Sequence, residues 1–221
     1  STDYYDRSVN NYSIDLRLTS NNELGLTRGF NWVTGIYRFV REVDLERDYT
    51  WFEVPYVSKF DVSRSALYGQ GTFSLSDRLS FSTGLRLEGH DSKFIDSFDV
   101  RFSPQDSLLG GTAVLEMLAS ENSRFHASIS NGYKSGGFNT SGSLDEPLRL
   151  FEPEILWNIE LGWIVEFEKS DASLRALLFK MDRSDVQIST SIVRVREDGS
   201  SEFVEFTGNA AEGVNQGLEL E

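Results

Sequence analysis

Among these 221 residues histidine is scarce, cysteine is absent, and no catalytic constellation is apparent. The two histidines, His90 and His126, fall in different segments, and no Gly-x-Ser-x-Gly nucleophile elbow accompanies them. His126 alternates with Arg124, Ser128 and Ser130, which is the composition of a wet polar face rather than the setting of a catalytic base. Cysteine is absent, so thiolate nucleophiles, disulfides and sulfur-ligated metals are excluded. Acidic residues gather at Glu42, Asp44, Glu46 and Asp48, and again at Asp91, Asp96 and Asp99. Hard cations take such oxygens, but neither group has the ligand spacing and glycine of a calcium loop, so both read as a solvated rim. Gly136-Gly137 is followed by no helix and resembles neither a phosphate loop nor a dinucleotide fingerprint. Its expected job is to let the backbone turn where a strand ends, with Lys134 beside it facing either a lumen or lipid headgroups. No catalytic, cofactor or metal residue is assigned. The chain is not read as an enzyme.

The elements that carry these residues alternate with period two, the mark of strands with one apolar and one polar face. Leu79, Phe81, Thr83, Leu85 and Leu87 oppose Ser80, Ser82, Gly84, Arg86 and Glu88. Trp157, Ile159, Leu161, Trp163, Val165 and Phe167 oppose Asn158, Glu160, Gly162, Ile164 and Glu166. Nine strands are expected, at about 12–19, 24–40, 61–75, 79–95, 107–118, 124–133, 153–167, 172–190 and 204–221. The second, third and eighth show mixed parity, so no lipid face is assigned to them.

Four connections are short and polar: Ser20–Glu23, Ser76–Arg78, Ser120–Ser123 and Glu168–Asp171. The intervening four, about 41–60, 96–106, 134–152 and 191–203, are longer. That alternation predicts antiparallel up-and-down strands with one tight rim and one looped rim, and the strand lengths suit a tilted membrane crossing. Mean hydropathy is −0.33 and no stretch approaches the ~18 uncharged apolar residues of a membrane helix, as expected for a barrel whose inner faces are wet. Aromatics make up 13% of the chain. Phe30, Trp32, Tyr37, Phe39, Tyr133, Phe138, Trp157 and Trp163 lie near strand ends, where interfacial girdles would sit. A net charge of −14 argues against nucleic acid as a partner.

At Gly132-Tyr133-Lys134-Ser135-Gly136-Gly137-Phe138-Asn139 the chain resembles TonB-dependent transporters, and the resemblance continues in order on both sides. Upstream stand Gly69-Gln70, Ser76-Asp77-Arg78-Leu79 and Gly84-Leu85-Arg86-Leu87. Downstream stand Phe151-Glu152-Pro153-Glu154, Trp157-Asn158-Ile159-Glu160-Leu161-Gly162, Phe179, Asp185-Val186-Gln187, Asn209-Ala210 and Gly217-Leu218-Glu219. It covers roughly residues 12–221.

The resemblance implies an all-β fold: a partial antiparallel up-and-down transmembrane β-barrel, about nine strands of a larger, 22-stranded whole. Residues 1–221 would then be a middle fragment of one barrel domain in the outer membrane of a Gram-negative bacterium. The plug domain, the TonB-binding box and the closing strands would lie elsewhere. Implied partners are outer-membrane lipid and lipopolysaccharide, the TonB complex through the N-terminal region, and a scarce ligand, first of all a ferric siderophore. Haem, cobalamin or an oligosaccharide use the same barrel, and a passive porin-like wall is the alternative; a barrel-based enzyme ranks last. Nine strands cannot close at that diameter, so the first and last should be open edges, and the isolated piece should neither insert as a monomer nor transport. Arg86, Glu88, Arg124 and Glu160 would lose polar partners contributed by the missing strands and the plug.

Overall fold

A computed structural model describes residues 1–20, 29–167, 171–196 and 198–221. Nine long strands form one continuous antiparallel sheet in chain order. They are β1 (Asp3–Thr19), β2 (Phe30–Tyr49), β3 (Tyr56–Ser76), β4 (Leu79–Asp96), β6 (Gln105–Ser120), β7 (Ser123–Lys134), β10 (Glu154–Phe167), β11 (Ala172–Val195) and β12 (Ser201–Leu220). Three short strands complete the set: β5 (Arg101–Phe102) pairs with β4, and β8 (Gly137–Phe138) pairs with β9 (Leu150–Phe151). The sheet is open: β1 pairs only with β2, and β12 only with β11. All nine expected strands are present.

The register fixes which residues share a face, because directly paired residues point the same way. One row reads Phe30, Phe73, Phe81, Leu115, Ala127, Leu161, Leu178 and Leu218. A second reads Leu16, Ile36, Leu67, Leu87 and Leu109, each more than half exposed. Such a face is stable only against lipid. Glu160 lies on the opposite face, where it accepts a 2.8 Å hydrogen bond from Asn158 Nδ2, while Leu161 stays 54% exposed on the outer one. Leu161→Arg should cost about 2–4 kcal/mol at mid-bilayer depth, read by denaturant titration of the full-length receptor in liposomes. Asp48→Arg, on the same outer face but above the lipid, should cost almost nothing.

The strands run further than expected. β1 begins at Asp3 rather than near residue 12, and β2 continues to Tyr49 rather than stopping at 40. Only residues 50–55 separate β2 from β3, and 196–200 separate β11 from β12, so these connections are much shorter than the anticipated 41–60 and 191–203. The proposed turn at residues 20–23 and the strand start at 24 lie largely outside the described residues. Glu42, Asp44, Glu46 and Asp48 therefore line β2 itself, all exposed, rather than sitting in a loop.

The mixed parity has a physical cause. Low on β2 the outer face carries Trp32 and Ile36; higher up the apolar residues Val43 and Leu45 point inward and the acids outward. β3 switches between Leu67, outward, and Val62 and Phe60, inward; β4 switches between Leu87 and Phe94. Below the switch the outside is hydrocarbon. Above it the outside is water and the inside is a packed vestibule.

Glycines let inner side chains lie flat against this wall. A Cβ on Gly162 would sit 1.8 Å from the His126 ring, and one on Gly35 would meet Tyr68 Oη at 2.5 Å and the Leu16 carbonyl at 2.7 Å. His126 and Tyr68 are the direct cross-strand partners of these glycines. An aromatic ring laid over a cross-strand glycine fills the space the missing side chain leaves.

Candidate functional site

Above the parity switch, the inner faces of β1–β4 and the segment Ser135–Pro153 enclose a concavity of about 1050 Å³. Its wall is mostly apolar, with Phe39, Val43, Phe60, Val62, Phe94, Phe138 and Phe151. Set into it are Arg7, Arg41 and Arg64. Among the described residues none of these three arginines forms an ion pair, and the buried Nε of Arg41 has no hydrogen-bond partner. Alternation along β2 explains the asymmetry: Arg41 and Arg47 point in while Glu42, Asp44, Glu46 and Asp48 point out. The chain is acidic overall, yet its inner outer-rim surface is basic.

His90 belongs to this wall. Arg64 Nε donates to His90 Nδ1 at 3.1 Å, and since a guanidinium can only donate, the imidazole is neutral with its proton on Nε2. His90 is only 6% exposed, so its role is to hold the Arg64 head in place. His126 is far from it, flat over Gly162. The two histidines are not brought together.

The Gly-Gly-Phe motif is built differently from expectation. Gly136 and Gly137 have no positive φ. They are required because a Cβ on Gly136 would meet the Phe151 carbonyl oxygen at 2.6 Å, and one on Gly137 the Phe151 ring at 2.5 Å. The Gly136 N–H donates to Asp106 at 3.0 Å. Phe138 then stacks on Phe102, with centroids 5.0 Å apart, and packs on Phe60 and Phe94. Tyr37, Phe39, Tyr133 and Phe138 thus face inward and are not girdle residues; Phe30, Trp32, Trp157 and Trp163 keep the outer face. Lys134 lies on the inner face opposite Glu154.

Lower on the same face several polar residues partner one another locally, while the buried Oδ1 of Asn158 has no partner among the described residues. Arg86 pairs with Glu88, which also accepts from Tyr133 Oη at 3.3 Å, and Arg86 stacks over the Tyr37 ring. Asp15 joins Arg17 and accepts a 2.6 Å bond from Tyr68 Oη. Arg124 approaches Glu166 at 3.9 Å, and Ser128 reaches Glu160 at 3.5 Å. Among the described residues no three His, Cys, Asp or Glu side chains converge as metal ligands. Asp96 and Asp99 serve the local frame instead: Asp96 accepts the N–H of Phe98 and Val100, and Asp99 pairs with Arg101, while Asp91 lies on β4 opposite Ser63 and Gln105. In the turn after β11, a hydroxyl and an N–H from Ser200 hold the Asp198 carboxyl below the usual carboxylate range.

Sequence reasoning missed the vestibule arginines and the inward Ser135–Pro153 segment. The signal was there in β2, where acids hold every even position from 42 to 48 while Arg41, Val43, Leu45 and Arg47 hold the odd ones.

Comparison with known proteins places this geometry. The family model described as TonB dependent receptor-like, beta-barrel, matches residues 1–221. The pesticin receptor of Yersinia pestis is 27% identical over 196 residues, which are 84% of this chain and 29% of that protein. The ferric yersiniabactin uptake receptor FyuA from Yersinia pestis superposes with a TM-score of 0.68 at 20% identity, covering 99% of this chain and 33% of that one. The alcaligin outer membrane receptor FauA from Bordetella pertussis gives 0.66 at 16% identity, over 99% and 36%. This chain thus spans about a third of the length of the proteins it matches. The sheet, its alternating faces and its match along the whole length agree: the chain belongs to the TonB-dependent receptor β-barrel family and is an outer-membrane protein of Gram-negative type.

Proposed function

We propose that this chain is wall and vestibule of a receptor that takes up a ferric siderophore, with energy supplied through TonB. The observation that carries the reading is the outer concavity, where aromatic side chains surround three arginines without ion-pair partners among the described residues. Iron-chelating ligands are commonly anionic and partly apolar, and such a surface suits them. The receptors for pesticin, ferric yersiniabactin and alcaligin that the chain resembles support the class without fixing the ligand. In this reading residues 1–221 form part of a single barrel domain. The plug and the TonB-contacting region come from the rest of the protein, and lipid and lipopolysaccharide surround the outer face.

Deleting the gene for the full-length receptor should abolish growth of its host on at least one ferric siderophore in iron-depleted medium, and complementation should restore it. Uptake should also stop when the proton gradient is collapsed. Uptake that persists without the gradient would favour a passive, porin-like wall. Unchanged growth on every iron chelate tested would sink the siderophore reading.

A further inference from the structure

We infer that the segment Ser135–Pro153 is a pinned, pre-formed wall of the vestibule and not a lid that closes on the ligand; the inference rests on reading that vestibule as the ligand site. This segment leaves β7, crosses the inner face and returns to β10. It is tied down on both sides of its path.

On one side the Phe138 ring is wedged among Phe60, Phe94 and Phe102, from β3, β4 and β5. On the other, the Asn139 side chain behaves like a residue of a neighbouring strand. Its Nδ2 donates to the Thr207 carbonyl at 2.8 Å, and its Oδ1 accepts the Thr207 N–H at 2.9 Å. The same Nδ2 also donates to the Leu148 carbonyl, and the Asn139 N–H donates to the Arg149 carbonyl. Asn209 repeats the arrangement at the far end, accepting the Glu152 N–H at 2.8 Å and donating to the Glu152 carbonyl at 3.0 Å. Gln187 Nε2 donates to both Ser135 and Glu152 carbonyls. Arg149 staples the interior through the Leu144 and Gly142 carbonyls.

A lid needs a hinge with free play and few bonds to break. Here the place for a hinge is Gly136, and it is walled by backbone: the Phe151 carbonyl, the Pro153 nitrogen and the Glu152 carbonyl carbon all lie within 3.3 Å of where its Cβ would be. The tips of other connections contrast with it. Trp51 is 76% exposed and Val54 70% exposed, with no such ties. Asn139, Asn209 and Gln187 are thus positioning residues: they lie outside the lining of the concavity and fix the surface formed by Gly137, Phe138, Thr140 and Phe151.

Two measurements on the full-length receptor test this. In ligand-free detergent solution, the amides of Gly136, Asn139, Arg149 and Glu152 should exchange hydrogen at least 100-fold more slowly than those of Trp51 and Val54. Equal exchange would overturn the wall whatever the receptor binds. Second, Asn139→Cys is combined with Thr207→Cys, and a disulfide between them, verified by mass spectrometry, locks the segment to β12. Uptake of radioiron equilibrated with spent medium of the iron-starved host should stay within two-fold of wild type when the disulfide forms. Loss of uptake on oxidation, restored by reductant, would show a lid. Slow exchange with no radioiron taken up by the wild type would instead refute the iron-chelate reading and leave the wall standing.

Discussion

Replacing Arg41 and Arg64 together by glutamine in the full-length receptor should weaken binding of its iron chelate by two to four orders of magnitude. A hydrogen bond to a charged group contributes about 1.5–3 kcal/mol, and two such losses multiply to that range. Neither arginine has an ion-pair partner among the described residues, so the substitutions remove no structural salt bridge and folding should be nearly unaffected. Glutamine at 64 keeps a donor for His90 Nδ1, which protects the local geometry. Titration of the purified receptor with the chelate identified by growth, beside a thermal unfolding curve, separates the two effects. Affinity within three-fold of wild type would remove the arginines from the site. Raising ionic strength should slow association of an anionic chelate, because screening shortens the reach of the basic interior.

The largest structural effect is expected at Gly162. An alanine there would place its methyl carbon 1.8 Å from the His126 ring, a contact no relaxation of a few tenths of an ångström removes. The imidazole must leave the wall, and overpacking of this sort costs about 1–3 kcal/mol or more. The full-length Gly162→Ala receptor should therefore assemble poorly, seen as loss of the heat-modifiable band on gels. His126→Ala in the same chain should restore assembly, since the three atoms nearest that position all belong to the ring. Gly35→Ala should behave otherwise. Removing the Tyr68 ring leaves the Leu16 carbonyl at 2.7 Å, so Tyr68→Ala should rescue it only in part. Equal rescue of both would show that the sheet yields more readily than its backbone contacts indicate.

The architecture was legible from the residues because lipid imposes strict alternation where strands cross it, as at 79–87 and 157–167. It was less legible where strands leave the membrane. There the outward positions of β2 become Glu42, Asp44, Glu46 and Asp48, which read as a loop to a pattern tuned for lipid-facing strands. Aromatic side chains were equally ambiguous: Trp157 and Tyr133 lie on neighbouring strands near the same height, yet one faces lipid and one pairs with Glu88 inside. Alternation alone does not separate them; the contacts of Tyr133 with Glu88 and Gly110 do. The vestibule was illegible because it joins residues of β1–β4 to a segment that starts after residue 134, and sequence distance carries no information on that meeting.

The parity switch has a consequence for the membrane this protein can occupy. The last apolar outward row is Leu16, Ile36, Leu67, Leu87 and Leu109, and the row above it is Ile14, Arg38, Ser65, Gly89 and Ser107. Between them runs a boundary one residue pair wide, with a guanidinium on its wet side. A thicker bilayer would pull Arg38 into hydrocarbon, and a thinner one would leave a leucine row in water. Displacement of either sign costs a fraction of a kcal/mol per ångström, so this belt sets the depth at which the barrel floats.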